Sequence, residues 1–152
     1  ASEAVDLADV ARRAAGLLAM KAQERGIRID APALDEHALS TGEFRRVLQI
    51  LLNLIGNAIR YGPDNAMIWL RVDSDAEWAS VTVADQGPGI ALDDQVRLFS
   101  KFERLGRADA GGSGLGLYIS RRLALAMGGD ILIDSAAGQG ARFILRLPLR
   151  AA

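Results

Sequence analysis

The sequence predicts an α+β domain, and three observations carry that reading. Residues 43–61 repeat apolar side chains at helical spacing. Met67 to Val72 and Trp78 to Ala84 alternate as strands around the polar turn Asp73 to Glu77, a hairpin signal. The chain has 152 residues, half of them hydrophobic, enough for one domain with a real core.

Taken in order, Asp6 or Asp9 opens a helix from Leu7 to about Arg25, which Gly26 ends, and Ile27 to Asp30 is a short strand. Residues 31–39 read as a loop. Ser40 and Glu43 are spaced as a capping box for the next helix, which stops at the Tyr61-Gly62-Pro63 breaker. The hairpin follows, then a long irregular stretch from Asp85 to Gly112. A helix from about Gly114 to Met127, a strand from Asp130 to Asp134, a tight turn at Gly138 to Gly140 and a strand from Arg142 to Leu147 complete the chain.

Composition excludes several classes of function. The formal charge is −1, so nothing electrostatic argues for nucleic acid. There is no cysteine, no apolar run long enough to cross a bilayer and no signal peptide, as expected of a soluble, cytoplasmic piece.

The second helix carries an unusual polar stripe. Phe44, Val47, Leu48, Leu51, Leu54, Ile55 and Ala58 fill one face. Gln49, Asn53, Gly56, Asn57 and Arg60 fall on the other, at about 100° per residue. Asparagine is a mediocre helix former, and glycine costs about 1 kcal/mol relative to alanine. A solvated face with two harmless amides is one reading. The sharper one is a ligand floor: amide oxygens for a hard cation, a glycine for close approach and a guanidinium for an anion.

Glycine marks two further places. Asp85-Gln86-Gly87-Pro88-Gly89 follows a buried-looking strand, so a carboxylate stands at a strand end beside a loop that bends close to a ligand; it suits an exocyclic amino group such as that of adenine. Gly111-Gly112-Ser113-Gly114-Leu115-Gly116 feeds a helix N-terminus, where backbone N–H groups favour phosphate. Each run is also compatible with a plain tight turn. No P-loop is present, and Leu92 and Leu117 stand where a dinucleotide fingerprint needs its third glycine.

Together and in order, these segments resemble the catalytic and ATP-binding domain of bacterial sensor histidine kinases, in the superfamily of gyrase-type ATPases and ATP-dependent heat-shock chaperones. Leu48 to Tyr61 resembles the N box, Asp85 to Gly89 the G1 box, Phe99 to Phe102 the F box, and Gly112 to Leu117 the G2 box. Gly138 to Phe143 resembles the last glycine motif. The resemblance covers nearly all of residues 1–152 as one domain. It implies the Bergerat fold, a two-layer α/β sandwich with a mixed sheet of about five strands under three helices and a mobile ATP lid.

Residue by residue, the resemblance implies Asn57 as magnesium ligand, with Asn53 supporting it, and Arg60 reaching a phosphate. Tyr61 would lie against the adenine, although by sequence alone it is equally a helix-end core aromatic. Asp85 would accept from the adenine amino group, with Gly87, Gly89 and Ile90 beside the base. Residues Glu103 to Gly111 would be the lid, held by Phe99 and Phe102, with Arg104 contacting phosphate and Arg107 solvated. Gly112, Ser113, Gly114, Leu115, Gly116 and Leu117 would complete the nucleotide site. The cofactors implied are ATP and Mg2+.

The superfamily's hydrolases and the anti-sigma serine kinases have a glutamate general base where Asn53 stands, and an amide does not accept that proton near neutral pH. Transfer to a histidine is therefore expected; an anti-sigma-type kinase and a nucleotide-sensing pseudokinase are the alternatives. His37, the sole histidine, stands in Asp35-Glu36-His37-Ala38-Leu39, unlike the family's acceptor motif and with no evident partner, and reads as a surface-loop residue. The implied partners are a helical dimerisation and phosphoacceptor domain, expected upstream or on another polypeptide, and a response regulator. The parent is either soluble or membrane-anchored, and this piece is expected to be monomeric and clear of the membrane. Ala141, where the family often has a hydroxyl, and Gln86 depart from the pattern.

Overall fold

A computed structural model of the chain describes residues 3–95, 116–136 and 138–150. Along these run β1 (Glu3–Asp6), α1 (Leu7–Glu24), β2 (Arg28–Asp30), β3 (Leu39–Gly42), α2 (Phe44–Tyr61), β4 (Met67–Ser74) and β5 (Trp78–Asp85). Then come α3 (Leu92–Gln95), α4 (Gly116–Ala126), β6 (Asp130–Ser135) and β7 (Ala141–Pro148). The main sheet has the order β2-β4-β5-β7-β6; β2 runs parallel to β4, and the other pairs are antiparallel. This is the expected mixed five-stranded sheet with the three long helices packed on it.

Alternation along the strands decides which side is core. Ile68 and Leu70 of β4, Val81 and Val83 of β5, and Leu145 and Leu147 of β7 are buried. Their neighbours Arg71 and Arg142 are exposed on the other face. Helix α2 closes the core with Val47, Ile50, Leu51, Leu54, Ile55, Ala58 and Ile59. At roughly 1.5 to 3 kcal/mol for each large aliphatic side chain, that burial fixes α2 firmly enough to serve as a platform.

The ends of the helices follow the sequence in part. Asp6 caps α1 by accepting from the Ala8 N–H at 3.1 Å. Tyr61 ends α2, where the Gly62 N–H donates to the Ala58 carbonyl. Arg25 completes that end: its guanidinium donates to the carbonyls of Ile59, Arg60 and Gly62 and pairs with Asp64. Helix carbonyls left without partners by the last turn are thereby satisfied.

Three expectations need correction. The Ser40–Glu43 capping box does not form: Glu43 is the N-cap without a side-chain bond, and Ser40 lies in β3, where its hydroxyl donates to the Val5 carbonyl. The stretch 31–39 is not all loop, because Leu39 begins β3, which pairs antiparallel with β1 in a separate two-stranded sheet. Within the stretch read as irregular, α3 forms a single turn.

Candidate functional site

The C-terminal half of α2 and the end of β5 meet around an open pocket. Its lining includes Asn57 and Tyr61 from α2, Asp85, Gly87, Gly89 and Ile90 from the β5 loop, and Leu117 from α4. Seven residues that the sequence singled out at three separate places therefore share one cavity. The pocket also takes Ala58, Pro88, Ala141 and Phe143, which sequence reasoning did not assign to it. For Ala141 and Phe143 a signal existed, since alternation along β7 places both on the core side.

Asp85 holds the pocket together as well as lining it. Its Oδ1 accepts from the Gly87 N–H at 2.8 Å and from the Ala141 N–H at 3.2 Å, tying the loop after β5 to the start of β7. The glycines are matched to this crowding. Gly89 has φ +73°, and a Cβ there would lie 2.0 Å from the Ala136 carbonyl oxygen. Gly140 has φ +75°, and its Cβ would lie 2.3 Å from the Asp85 carbonyl oxygen. Gln86 is not an idle substitution: its Oε1 accepts from the Met67 N–H at 2.8 Å and closes the start of β4.

The asparagine stripe divides in two. Asn57 faces the pocket, and its Oδ1 accepts from Arg60 at 3.3 Å. Asn53 faces α4: its Nδ2 donates to the Ser120 hydroxyl at 2.9 Å and toward the Gly116 carbonyl at 3.4 Å. Arg60 is exposed beside the pocket rather than in its lining, with its guanidinium carbon 6.0 Å from the Tyr61 ring centroid. Gly56 lies between the amides, and a Cβ added there would meet no described atom within 4 Å. Phe99, Phe102, Arg104, Gly112, Ser113, Gly114 and Leu115 lie outside the described residues, as does the segment expected to be the lid.

His37 does have a partner, which the sequence hid by placing it 31 positions away. Its Nδ1 lies 2.6 Å from Asp6 Oδ2, and neither residue lines the pocket. Burial raises the Asp6 carboxyl, but the Ala38 N–H, His37 and the Ala8 N–H together bring it below its ordinary value. This pairing accounts for His37 as an anchor of the 31–38 segment.

A two-layer α+β domain with an open pocket between a helix and a glycine-bent strand end defines a class, and residues 42–151 match it. They match the family of histidine kinase-, DNA gyrase B-, and HSP90-like ATPases, and the chain belongs to that family. Within it, the similarities are to sensor histidine kinases. The chain is 40% identical over 111 residues to sensor histidine kinase RcsC of Escherichia coli K12, covering 71% of this chain and 12% of that protein. It is 39% identical over 137 residues to the sensor protein TorS of the same organism, covering 90% of this chain and 15% of TorS. Its fold matches the mycobacterial sensor histidine kinase MprB with a TM-score of 0.83 at 26% identity, over the whole of both chains. It also matches full-length ShkA in complex with AMPPNP with a TM-score of 0.84 at 33% identity, covering all of this chain and 32% of that one. The chain thus spans a small fraction of the curated relatives, and it is the histidine-kinase type of catalytic and ATP-binding domain.

Proposed function

We propose that this domain binds magnesium-ATP and transfers the γ-phosphoryl group to a histidine on a separate helical dimerisation domain, in a two-component pathway ending at a response regulator. The observation that carries the reading is the convergence of Asn57, Tyr61 and Asp85 with the bent glycine loop in one pocket. In this reading Asp85 accepts from the adenine amino group, Tyr61 and Ile90 cover the base, and Gly87 and Gly89 let it approach. Residues 1–152 act as one unit that works on the cytoplasmic side, whether or not the parent is anchored in a membrane.

The donor chemistry around Asn57 fits magnesium held together with the nucleotide. Among the described residues no three His, Cys, Asp or Glu side chains gather as a metal site, so the phosphates and water would supply most oxygens and Asn57 Oδ1 one more. Bound there, magnesium would neutralise charge on the phosphates. Arg60 and Arg104 would add positive charge on the phosphate side, and Asn53, an amide, would leave the acceptor imidazole to supply its own electron pair.

The experiment uses this chain alone and then with its cognate dimerisation domain. Alone, it is expected to bind magnesium-ATP by calorimetry, without labelling itself and without appreciable hydrolysis. With the partner, a phosphate labile in acid and stable in base should appear on the partner, and His37→Ala should not alter it. Binding without any transfer to a proven acceptor would replace the kinase by a nucleotide-sensing module. Brisk hydrolysis by the chain alone would overturn the role given to Asn53.

A further inference from the structure

We infer that Ser135 and Gln95, both outside the motifs of the nucleotide site, are positioning residues that set the adenine side of the pocket by holding the Ile90 peptide groups. The inference rests on the pocket being the ATP site. Ile90 is 3% exposed and lines the pocket, so its backbone polar groups have little access to water. Both are met by side chains. The Ile90 N–H donates to Ser135 Oγ at 2.9 Å, and the Ile90 carbonyl accepts from Gln95 Nε2 at 2.8 Å.

The two side chains form one brace. Ser135 Oγ passes its own hydrogen to the Gly140 carbonyl at 2.7 Å, and Gln95 Nε2 also donates to the Ser135 carbonyl at 2.8 Å. A single hydroxyl and a single carboxamide thereby join the loop after β5, α3, the end of β6 and the turn before β7. The Gly138 N–H donates to the Pro88 carbonyl, closing the same seam. On the other side, Asp85 Oδ1 fixes Gly87 and Ala141. The loop carrying Gly87, Gly89 and Ile90 is therefore held at both ends by side chains, and a shift at Ile90 moves the surface that faces the base. Because a buried amide left without a partner is strongly unfavourable, loss of either brace should displace the peptide rather than leave it in place.

Substitutions separate positioning from mere stability. Ser135→Ala removes the hydroxyl, while Ser135→Thr keeps it. Gln95→Glu is close to isosteric but sets a carboxylate against two carbonyl oxygens. Binding of ATP and GTP to the whole chain is measured by calorimetry at a temperature where circular dichroism shows each variant fully folded. Ser135→Ala and Gln95→Glu are each expected to weaken ATP on the order of tenfold and to lower the preference for ATP over GTP. Ser135→Thr should restore both. Since the two residues hold one peptide, the double variant should lose less than the product of the single losses. Unchanged ATP affinity in both single variants would overturn the inference. So would a lowered melting temperature with the ATP-to-GTP preference intact, which is the mark of a purely structural pair. Wild-type chain that bound no ATP would instead remove the site reading on which the inference stands.

Discussion

Asn53 directs its side-chain amide at Ser120, 2.9 Å away and fully buried, and so joins the middle of α2 to the first turns of α4. Asn57, one helical turn on, lines the pocket instead. Two identical residues on one stripe thus do different work.

That difference predicts opposite phenotypes. Asn53→Ala leaves the buried Ser120 hydroxyl without its amide partner and should lower stability by about 1 to 3 kcal/mol. Asn57→Ala removes, among the described residues, a contact to exposed Arg60 and should change stability by less than about 0.5 kcal/mol. It should weaken magnesium-ATP more than metal-free ADP. Urea unfolding reads the first pair of values and calorimetry the second; equal destabilisation by both substitutions would contradict the division of the stripe.

Asp85 predicts a separable pair of effects. Asp85→Ala strips the Gly87 and Ala141 N–H groups of their acceptor and, under the proposed function, removes the anionic partner of the adenine amino group. Stability should fall by roughly 1 to 3 kcal/mol and ATP affinity by about 10- to 150-fold. Asp85→Asn retains a carbonyl oxygen for the two backbone donors, so stability should return while affinity does not. If Asp85→Asn binds ATP like the wild type, the charge on Asp85 plays no part in recognising the base.

The legible parts of the chain were those written over short sequence distances. Asp6 beside the start of α1, the Gly62-Pro63 stop after α2 and the Asp73 to Glu77 turn all rest on neighbours, and the last is closed by Asp75 accepting from the N–H groups of Glu77 and Trp78. The pairing of β1 with β3 was not legible: each strand has four residues and its partner lies more than thirty positions away. The same distance misled the reading of Ser40, which had the right residue type for a cap but belongs to that sheet. In the site, motif residues announced themselves through costly choices, such as asparagine and glycine inside a helix. Ser135 and Gln95 did not, because a serine at a strand end and a glutamine in a short helix carry no local penalty; only the contacts to Ile90 distinguish them.

Asp6 gives a pH dependence with a definite sign. Its folded pKa lies below the ordinary 3.8, despite burial, because the Ala38 N–H, His37 and the Ala8 N–H favour the carboxylate. The unfolded chain therefore binds the proton first as pH falls, and the stability Asp6 contributes is fully present above 3.8 and lost below it, through the lowered folded value. Asp6→Asn, which cannot ionise, should flatten the stability profile in that acid window. Asp6→Ala should in addition lose about 1 kcal/mol at neutral pH through the missing cap. Unfolding midpoints followed from neutral pH to below 3 test both, and an unaltered acid limb in Asp6→Asn would show that other carboxylates set it.

Gly89 in the pocket and Gly56 in α2 predict opposite responses to a methyl group. Gly89 has φ +73°, and its added Cβ would fall 2.0 Å from the Ala136 carbonyl oxygen, so Gly89→Ala meets backbone that cannot swing aside. Destabilisation of about 2 kcal/mol or more is expected, with loss of ATP binding as the loop moves. Gly56 lies inside α2 with no described atom within 4 Å of the added Cβ. Gly56→Ala should raise the stability of the free protein by roughly 0.5 to 1 kcal/mol, the difference in helix preference between the two residues. If the face between Asn53 and Asn57 receives the nucleotide, the same methyl group should weaken ATP binding while the free protein grows more stable. Thermal unfolding and calorimetry on the one variant give both numbers, and a more stable Gly56→Ala protein with undiminished affinity would place the ligand away from this face.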